Sequence, residues 1–272
     1  FNDQILVPHG KRMVPTSHAR NLLPLVLRTL TDADGLISTS TVFDAATSRR
    51  KFRICGSDYV VTLLLVPLLQ DLARTAPSMR FEIVSPSPES LIDLERGNND
   101  LILAPEQYLS ADHPKELLFD EEHVVVGCKK NPVFLAPLTE ESFFQQPHIA
   151  VVLSFSKTFA EQALDALWRE RRIEITAPSF LAVPWMLPNT SRLAVLHGRL
   201  ARLMATKLPL AIAPLPFAFP VMREMIQHHR ARQSDGGVQW LRNCILDRAA
   251  ALRTPSKSGL KKTRSRRRQS LA

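Results

Sequence analysis

Glycine is scarce, with 9 in 272 residues. That leaves little material for a phosphate-cradling loop, and neither G-x-G-x-x-G nor a P-loop spacing occurs. G-x-S-x-G and H-E-x-x-H are missing too, which removes the nucleophile-elbow hydrolases and zinc peptidases. No catalytic residue, metal site or cofactor is therefore expected, and the chain does not read as an enzyme. Cysteine is equally sparse. Cys55, Cys128 and Cys244 show no C-x-x-C spacing, so they read as buried free thiols in a reducing compartment. No apolar run approaches the ~18 residues of a membrane span. The longest, residues 60–69, is interrupted by Pro67. The opening FNDQILVP has neither a basic-then-apolar leader nor a cleavage site, so a cytoplasmic protein without membrane partners is expected.

What is present begins with charge. The formal net charge is +9, and eight of those charges are basic residues from position 249 onward, where no acid occurs. The remainder carries only +1, so the body is nearly neutral and the basic character belongs to the tail. With 45% hydrophobic residues the chain has material for one or two cores.

The most patterned stretch runs from 52 to 105. Three β-like runs (52–56, 80–85, 100–104) alternate with two helical ones, the pattern of a parallel sheet with crossover helices. In the first helix Val61, Leu64, Leu65, Leu68, Leu69 and Leu72 share one face. The second is expected to open at Ser87 as N-cap with Pro88 at its first position, and to stop at Gly97. From 147 the order repeats: strand 148–153, a helix capped by Ser156, strand 172–177, a short helix near 180–187, and strand 192–197. Two such units make a two-lobed, hinge-closing binding fold the natural architecture. Residues 133–138 are the candidate first crossing between lobes, and 214–220 the return.

Ahead of the lobes, 5–7 and 13–14 flank Pro8-His9-Gly10-Lys11-Arg12, a hairpin with cations at its tip. A helix follows, with Ser17 as its cap and Leu22, Val26, Leu30, Ala33 and Ile37 along a stripe. It is either a dimerising helix or one packed on its own domain.

The segments ILVPHGKRMVPTSHA, FDAATSRRKFRI, SDYV and FLAVP resemble those of LysR-type transcriptional regulators, nearest the branch of nodulation regulators and aromatic or nitroaromatic sensors. The likeness is collinear over nearly all of residues 1–248. It implies a periplasmic-binding-protein-like α/β effector domain. The expected division is 1–16 as the wing of a winged helix-turn-helix whose recognition helix is not in this chain, and 17–50 as linker helix and linker. Lobe I is expected at 51–137 and 221–250, lobe II at 138–220, and a disordered basic tail at 251–272. It further implies DNA contact through His9, Lys11 and Arg12, a homodimer or homotetramer, and a small, aromatic effector between the lobes.

In an open α/β sheet the ligand lies beyond the carboxyl ends of the strands. That places the candidate effector site at Ser57, Asp58, Tyr59, Ala104 and Pro105 from one lobe, and at Ser154, Phe155, Leu196 and His197 from the other. Phe155, Val183, Pro184 and Phe217 would supply apolar walls. Unpaired N–H groups where helices open at Ser57 and Ser154 favour a polar or anionic ligand group. Asp58 opposes an anion unless it caps its own helix. His197 either pairs with a ligand carboxylate or phenol or is a core histidine. A transport solute-binding protein and a truncated regulator that senses nothing stay open as rivals.

Overall fold

The computed structural model describes residues 4–10, 12–38, 43–153 and 156–253. Lys11, Ser154, Phe155 and the basic tail from 254 lie outside them. Strands β1 (Leu6–His9) and β2 (Arg12–Pro15) form the expected antiparallel hairpin, with His9 opposite Arg12. Gly10 turns the chain at φ +63°, a conformation glycine adopts without a Cβ clash. Helix α1 (Ser17–Ser38) follows and runs through Pro24. Its cap is Thr16 rather than Ser17. The Thr16 hydroxyl accepts from Ala19 N at 3.1 Å and donates to Gln4 O at 2.8 Å, tying the helix to the hairpin.

Two sheets make up the body. The first uses β3 (Lys51–Gly56), β4 (Arg80–Val84), β5 (Leu101–Pro105), β6 (Lys115–Glu121) and, much later, a strand at Met222–Gln227. The second uses β7 (His123–Cys128), β8 (Pro147–Leu153), β9 (Ser156–Lys157), β10 (Arg172–Ala177), β11 (Leu193–His197) and β12 (Leu210–Ala213). Met222–Gln227 is then β13. The first sheet orders as β4-β3-β5-β13-β6 and the second as β10-β8-β11-β7-β12, with β9 added to β8. In each, three parallel strands lie second–first–third, followed by one antiparallel strand and an edge strand that pairs antiparallel with it. The repeat seen in the sequence is thus a structural repeat.

The first crossing between sheets is not at 133–138. β6 lies in the first sheet and β7 in the second, so the chain changes sheets at Glu122. Val133 and Phe134 pack instead in a satellite apolar cluster beside the second sheet. Pro132 opens a short 3₁₀ turn there, Pro132–Leu135, capped by the Asn131 side chain. The return, between β12 and β13, falls where 214–220 was expected.

The helix after β3 is built in three pieces: α2 (Asp58–Val60), a wide π turn (Val61–Leu65) and α3 (Val66–Thr75). Pro67 explains the break in regularity. A proline lacks the N–H for its helical bond and its ring crowds the carbonyl four residues earlier, and a widened turn just before it makes room. Leu64, Leu65, Leu68 and Leu72 are buried as the spacing predicts.

Helix α4 (Ser90–Glu95) starts later than expected. In the turn that precedes it the Ser90 hydroxyl accepts from Ser87 N–H and the Ser87 hydroxyl from Glu89 N–H. Gly97 then ends the helix at φ +71°. In the second lobe, after α5 (Glu140–Gln145), α6 (Phe159–Asp165) is capped by the Thr158 hydroxyl and not by Ser156, which pairs in β9. Helix α7 (Gly198–Ala205) leaves β11 directly, and α8 (Gly236–Arg253) lays Val238, Leu241, Ile245 and Ala249 on the first sheet's side of the core. The main apolar cluster runs through both lobes, from Phe52 and Leu64 to Ile149 and Leu196.

Candidate functional site

A cavity of about 480 Å³ lies between the two sheets at the carboxyl ends of β3 and β5. Cys55, Ser57, Tyr59, Ala104, Pro105 and Tyr108 face it from the first lobe. His123, Thr158, Phe159, Phe180 and His197 face it from the second, and Met222 and Glu224 from the returning strand β13. Drug-sized ligands occupy sites of roughly 300–1,000 Å³, so a one- to three-ring compound fits.

Its inner wall is a column of flat side chains. Tyr59 stacks on His197, with centroids 3.6 Å apart and planes 6° from parallel. Phe180 meets the same imidazole edge-on at 4.6 Å. His123 lies 4.9 Å from His197 and stacks on Phe159 at 5.5 Å. Burial pushes His123 down to about 4. It pushes His197 well below the usual imidazole value, with His123 adding to the effect. Both rings are therefore neutral at physiological pH. Both nitrogens of His123 and Nδ1 of His197 have no hydrogen-bond partner among the described residues.

Beneath the column lies a charge relay of a structural kind. The Tyr59 hydroxyl donates to Glu121, and Arg199 reaches the same carboxylate at 2.6 Å through Nη1 and at 3.2 Å through its backbone N–H. Glu224, on the adjacent strand, is 2% exposed. Burial first, and the Glu121 charge second, push its carboxyl up to about 8. It is a neutral acid at pH 7.

Five of the anticipated residues face the cavity: Ser57, Tyr59, Ala104, Pro105 and His197. Five others do not. Asp58 neither lines it nor caps its own helix. Its carboxylate receives the Ser179 hydroxyl at 2.7 Å and the Phe180 and Leu181 N–H groups at 3.3 and 3.1 Å, so it caps a turn of the opposite lobe. Ser57 caps α2 instead. Leu196 alternates with His197 along β11, so it points into the core where its neighbour points to the cavity. Val183 and Pro184 are buried in a 3₁₀ turn, Val183–Met186. Phe217 belongs to a separate aromatic cluster with Phe143 and Phe144, at 5.4 and 5.9 Å. Ser154 and Phe155 lie outside the described residues.

Sequence reasoning missed His123, Phe159, Phe180 and Glu224. The signal for Glu224 was available: MREMIQ places an acid between two methionines in a strand. At the rim, Gln107 donates to Gln162 at 2.9 Å and Tyr108 to Lys157 O at 3.2 Å, joining the lobes over the cavity.

Residues 45–250 match the family model described as the LysR substrate binding domain. The chain belongs to the LysR family. It is similar to nodulation protein D 2 of Bradyrhizobium elkanii, 34% identical over 258 residues, which cover 94% of this chain and 78% of that protein. Nodulation protein D 1 of Mesorhizobium japonicum is 32% identical over 261 residues, 94% of this chain and 82% of the relative. Among solved structures, the probable transcriptional regulator PA0477 from Pseudomonas aeruginosa superposes with a TM-score of 0.73 at 24% identity, covering 90% of this chain and 82% of that one. The regulatory domain of CcmR from Synechocystis PCC6803, in complex with 2-PG, does so at 0.62 and 14% identity, covering 75% and 100%. The last two share the fold. The chain is thus the effector-binding part of a LysR-type transcriptional regulator, and the transport-protein reading is set aside.

Two further features of this LysR regulator bear on partners and metals. His9 and Arg12 face each other at the exposed hairpin tip, while Lys11 lies outside the described residues. Glu95, His113 and His229 bring ligand-type atoms within 4.8 Å of one another. Their hydrogen bonds oppose a metal, however. Ala231 N–H donates to His229 Nδ1 at 3.2 Å, which puts the ring proton on the Nε2 that faces Glu95. Among the described residues no helix is long and apolar enough to cross a membrane.

Proposed function

We propose that the cleft of this LysR regulator binds a small aromatic compound, and that ligand binding changes how the two lobes sit against each other. The observation that carries this reading is the cavity itself: apolar and aromatic over most of its wall, with unpaired neutral polar groups grouped at one end. Buried polar atoms left without partners are costly, and a ligand that pairs with them recovers that cost. Strands β6 and β13 carry Glu121 and Glu224 at the points where the chain enters and leaves the second lobe. A ligand held there acts on the hinge. It can move the lobes only by its difference in affinity for their two arrangements.

On the same reading α1 pairs two copies into a homodimer, with a homotetramer as the next assembly. The hairpin residues His9, Lys11 and Arg12 contact DNA phosphate or the minor groove, and the protein works in the cytoplasm. A panel of one- to three-ring aromatic compounds in a thermal-shift assay tests the cleft. At least one is expected to raise the midpoint by several degrees, and Phe159→Ala is expected to abolish the rise. No shift from any compound would sink the sensing role.

A further inference from the structure

We propose that Glu224 binds the effector as a protonated acid, donating a hydrogen bond to an acceptor oxygen on an uncharged ring compound. This deepens the cleft reading and rests on it. The Glu224 side chain is 2% exposed, borders the cavity, and makes no hydrogen bond or ion pair to any described residue. A buried carboxyl facing an apolar space has two ways to be satisfied: a cation that pairs with its charge, or an acceptor that takes its proton. The surroundings favour the second. Glu121, the nearest acid, is already engaged by Arg199 and by the Tyr59 hydroxyl, so Glu224 faces a neutralised pair and a second unpaired carboxylate there would stand uncompensated.

The other titratable groups facing the cavity are Tyr59, whose pKa is raised by burial and by Glu121, and His123, His197, Cys55, Tyr108 and Lys157. Burial keeps both histidines neutral above pH 6.5 and raises Cys55 and Tyr108 above their ordinary values. Lys157 pairs with Asp165 at 2.5 Å. Glu224 is thus the cavity group that titrates near pH 8. His123 and His197, each with a free ring nitrogen, supply the second and third polar contacts on the same wall.

The sign of the pH dependence distinguishes the two modes. A neutral acceptor needs the acid proton, so its affinity falls as pH rises through 8. A cation needs the carboxylate, so its affinity rises. The test uses the full chain, with the aromatic ketones tetralone and fluorenone as neutral acceptors that do not ionise and benzyltrimethylammonium as a permanent cation. Binding is measured by calorimetry at about pH 6.5 and about pH 9. For wild type, ketone affinity is expected to drop about tenfold between them, one decade for the pH unit beyond the acid's midpoint. Glu224→Gln, which keeps an N–H donor, is expected to bind the ketones equally at both pH values. Glu224→Ala, checked for folding by circular dichroism, is expected to bind weakly at both.

Flat wild-type affinity, undiminished binding by Glu224→Ala, or a cation whose affinity rises with pH overturns the proposal while leaving the cleft as the site. Failure of every probe to bind wild type overturns the cleft reading itself. A ligand-free measurement stands beside these. Wild type at pH 6.5 is expected to show an infrared band of a protonated carboxyl that Glu224→Gln lacks, and no difference between them overturns the proposal whatever the ketones do.

Discussion

The phenol of Tyr59, on the first lobe, lies flat against the imidazole of His197, on the second, at 3.6 Å between centroids. Its hydroxyl continues to Glu121 on the strand that leads from one lobe to the other. One side chain therefore joins the lobes by its ring face and ties to the end of the connecting strand by its hydroxyl. The two contributions separate by mutation. Tyr59→Phe keeps the stack and removes the bond, leaving Glu121 with Arg199, and is expected to cost about 1–2 kcal/mol. Tyr59→Leu also removes the ring and is expected to cost about 1 kcal/mol or more beyond that. Urea denaturation of the three proteins measures both steps. Equal stability of Tyr59→Phe and wild type would show that the hydroxyl bond contributes nothing net.

The buried acid predicts a base-side instability. The Glu224 carboxyl is raised from 4.5 in the open chain to about 8 in the folded one. Its contribution is therefore present in full below pH 4.5 and is lost as pH climbs through 8. Over that window the loss is on the order of 3–5 kcal/mol. Glu224→Gln, which does not titrate, is expected to match wild type near pH 5 and to exceed it in stability near pH 8.5. Denaturation curves at the two pH values decide it, and parallel losses in both proteins would refute the assignment.

Buried histidines predict the opposite on the acid side. His123 is lowered from 6.5 to about 4 by burial, so stability is intact above pH 6.5 and lost as pH falls toward 4. His148, also at about 4 and buried, adds to the loss. Each contributes roughly 3 kcal/mol of destabilisation by pH 4. His123→Gln is expected to flatten the acid limb by about that amount. An unchanged acid midpoint in the variant would mean that His123 is hydrated and free to titrate.

How much of this was legible in the sequence depends on the length scale of the signal. The paired β-α-β-α-β units, the buried leucine face at Leu64–Leu72, the stop at Gly97 and the hairpin around Gly10 are local, and local periodicity or a single turn residue reports them. The first crossing at Glu122 was not legible. It is a choice of sheet made by β7 through its pairing with β11 and β12, some 70 residues later in the chain. The same holds for the cavity wall. Ser57, Tyr59, Ala104, Pro105 and His197 follow from the rule that ligands sit at strand ends. Phe180 and His123 face the cavity because the lobes meet face to face, which no spacing encodes. Asp58 shows the limit most sharply: an acid at a helix start reads as a cap, and it is one, for a turn 121 residues away in the other lobe.

That clamp is testable. Asp58 holds three donors across the lobe boundary, Ser179 Oγ and the N–H groups of Phe180 and Leu181. Asp58→Ala leaves all three without their acceptor and is expected to cost about 2–3 kcal/mol. Asp58→Asn, which retains an acceptor oxygen, is expected to recover about half. Amide exchange at Phe180 and Leu181 is expected to speed up in Asp58→Ala ahead of global unfolding. Uniform acceleration over both lobes would instead place the effect on the fold as a whole.

Leu23, Leu25, Val26 and Leu30 are 56%, 60%, 50% and 57% exposed on α1 in the single chain. Four large apolar side chains on one 22-residue helix form more uncovered apolar surface than a lone helix ordinarily leaves to water. Leu22 and Leu27 beside them are partly covered. On the proposed reading a second copy of the same helix covers these side chains. A charge on that apolar surface, Leu30→Asp, would have to be buried in the paired state at a cost on the order of several kcal/mol. Sedimentation of the wild type at micromolar concentration is expected to show a dimer or tetramer, and Leu30→Asp a smaller species with unchanged circular dichroism per residue. A Leu30→Asp variant that sediments like wild type would move the interface off α1.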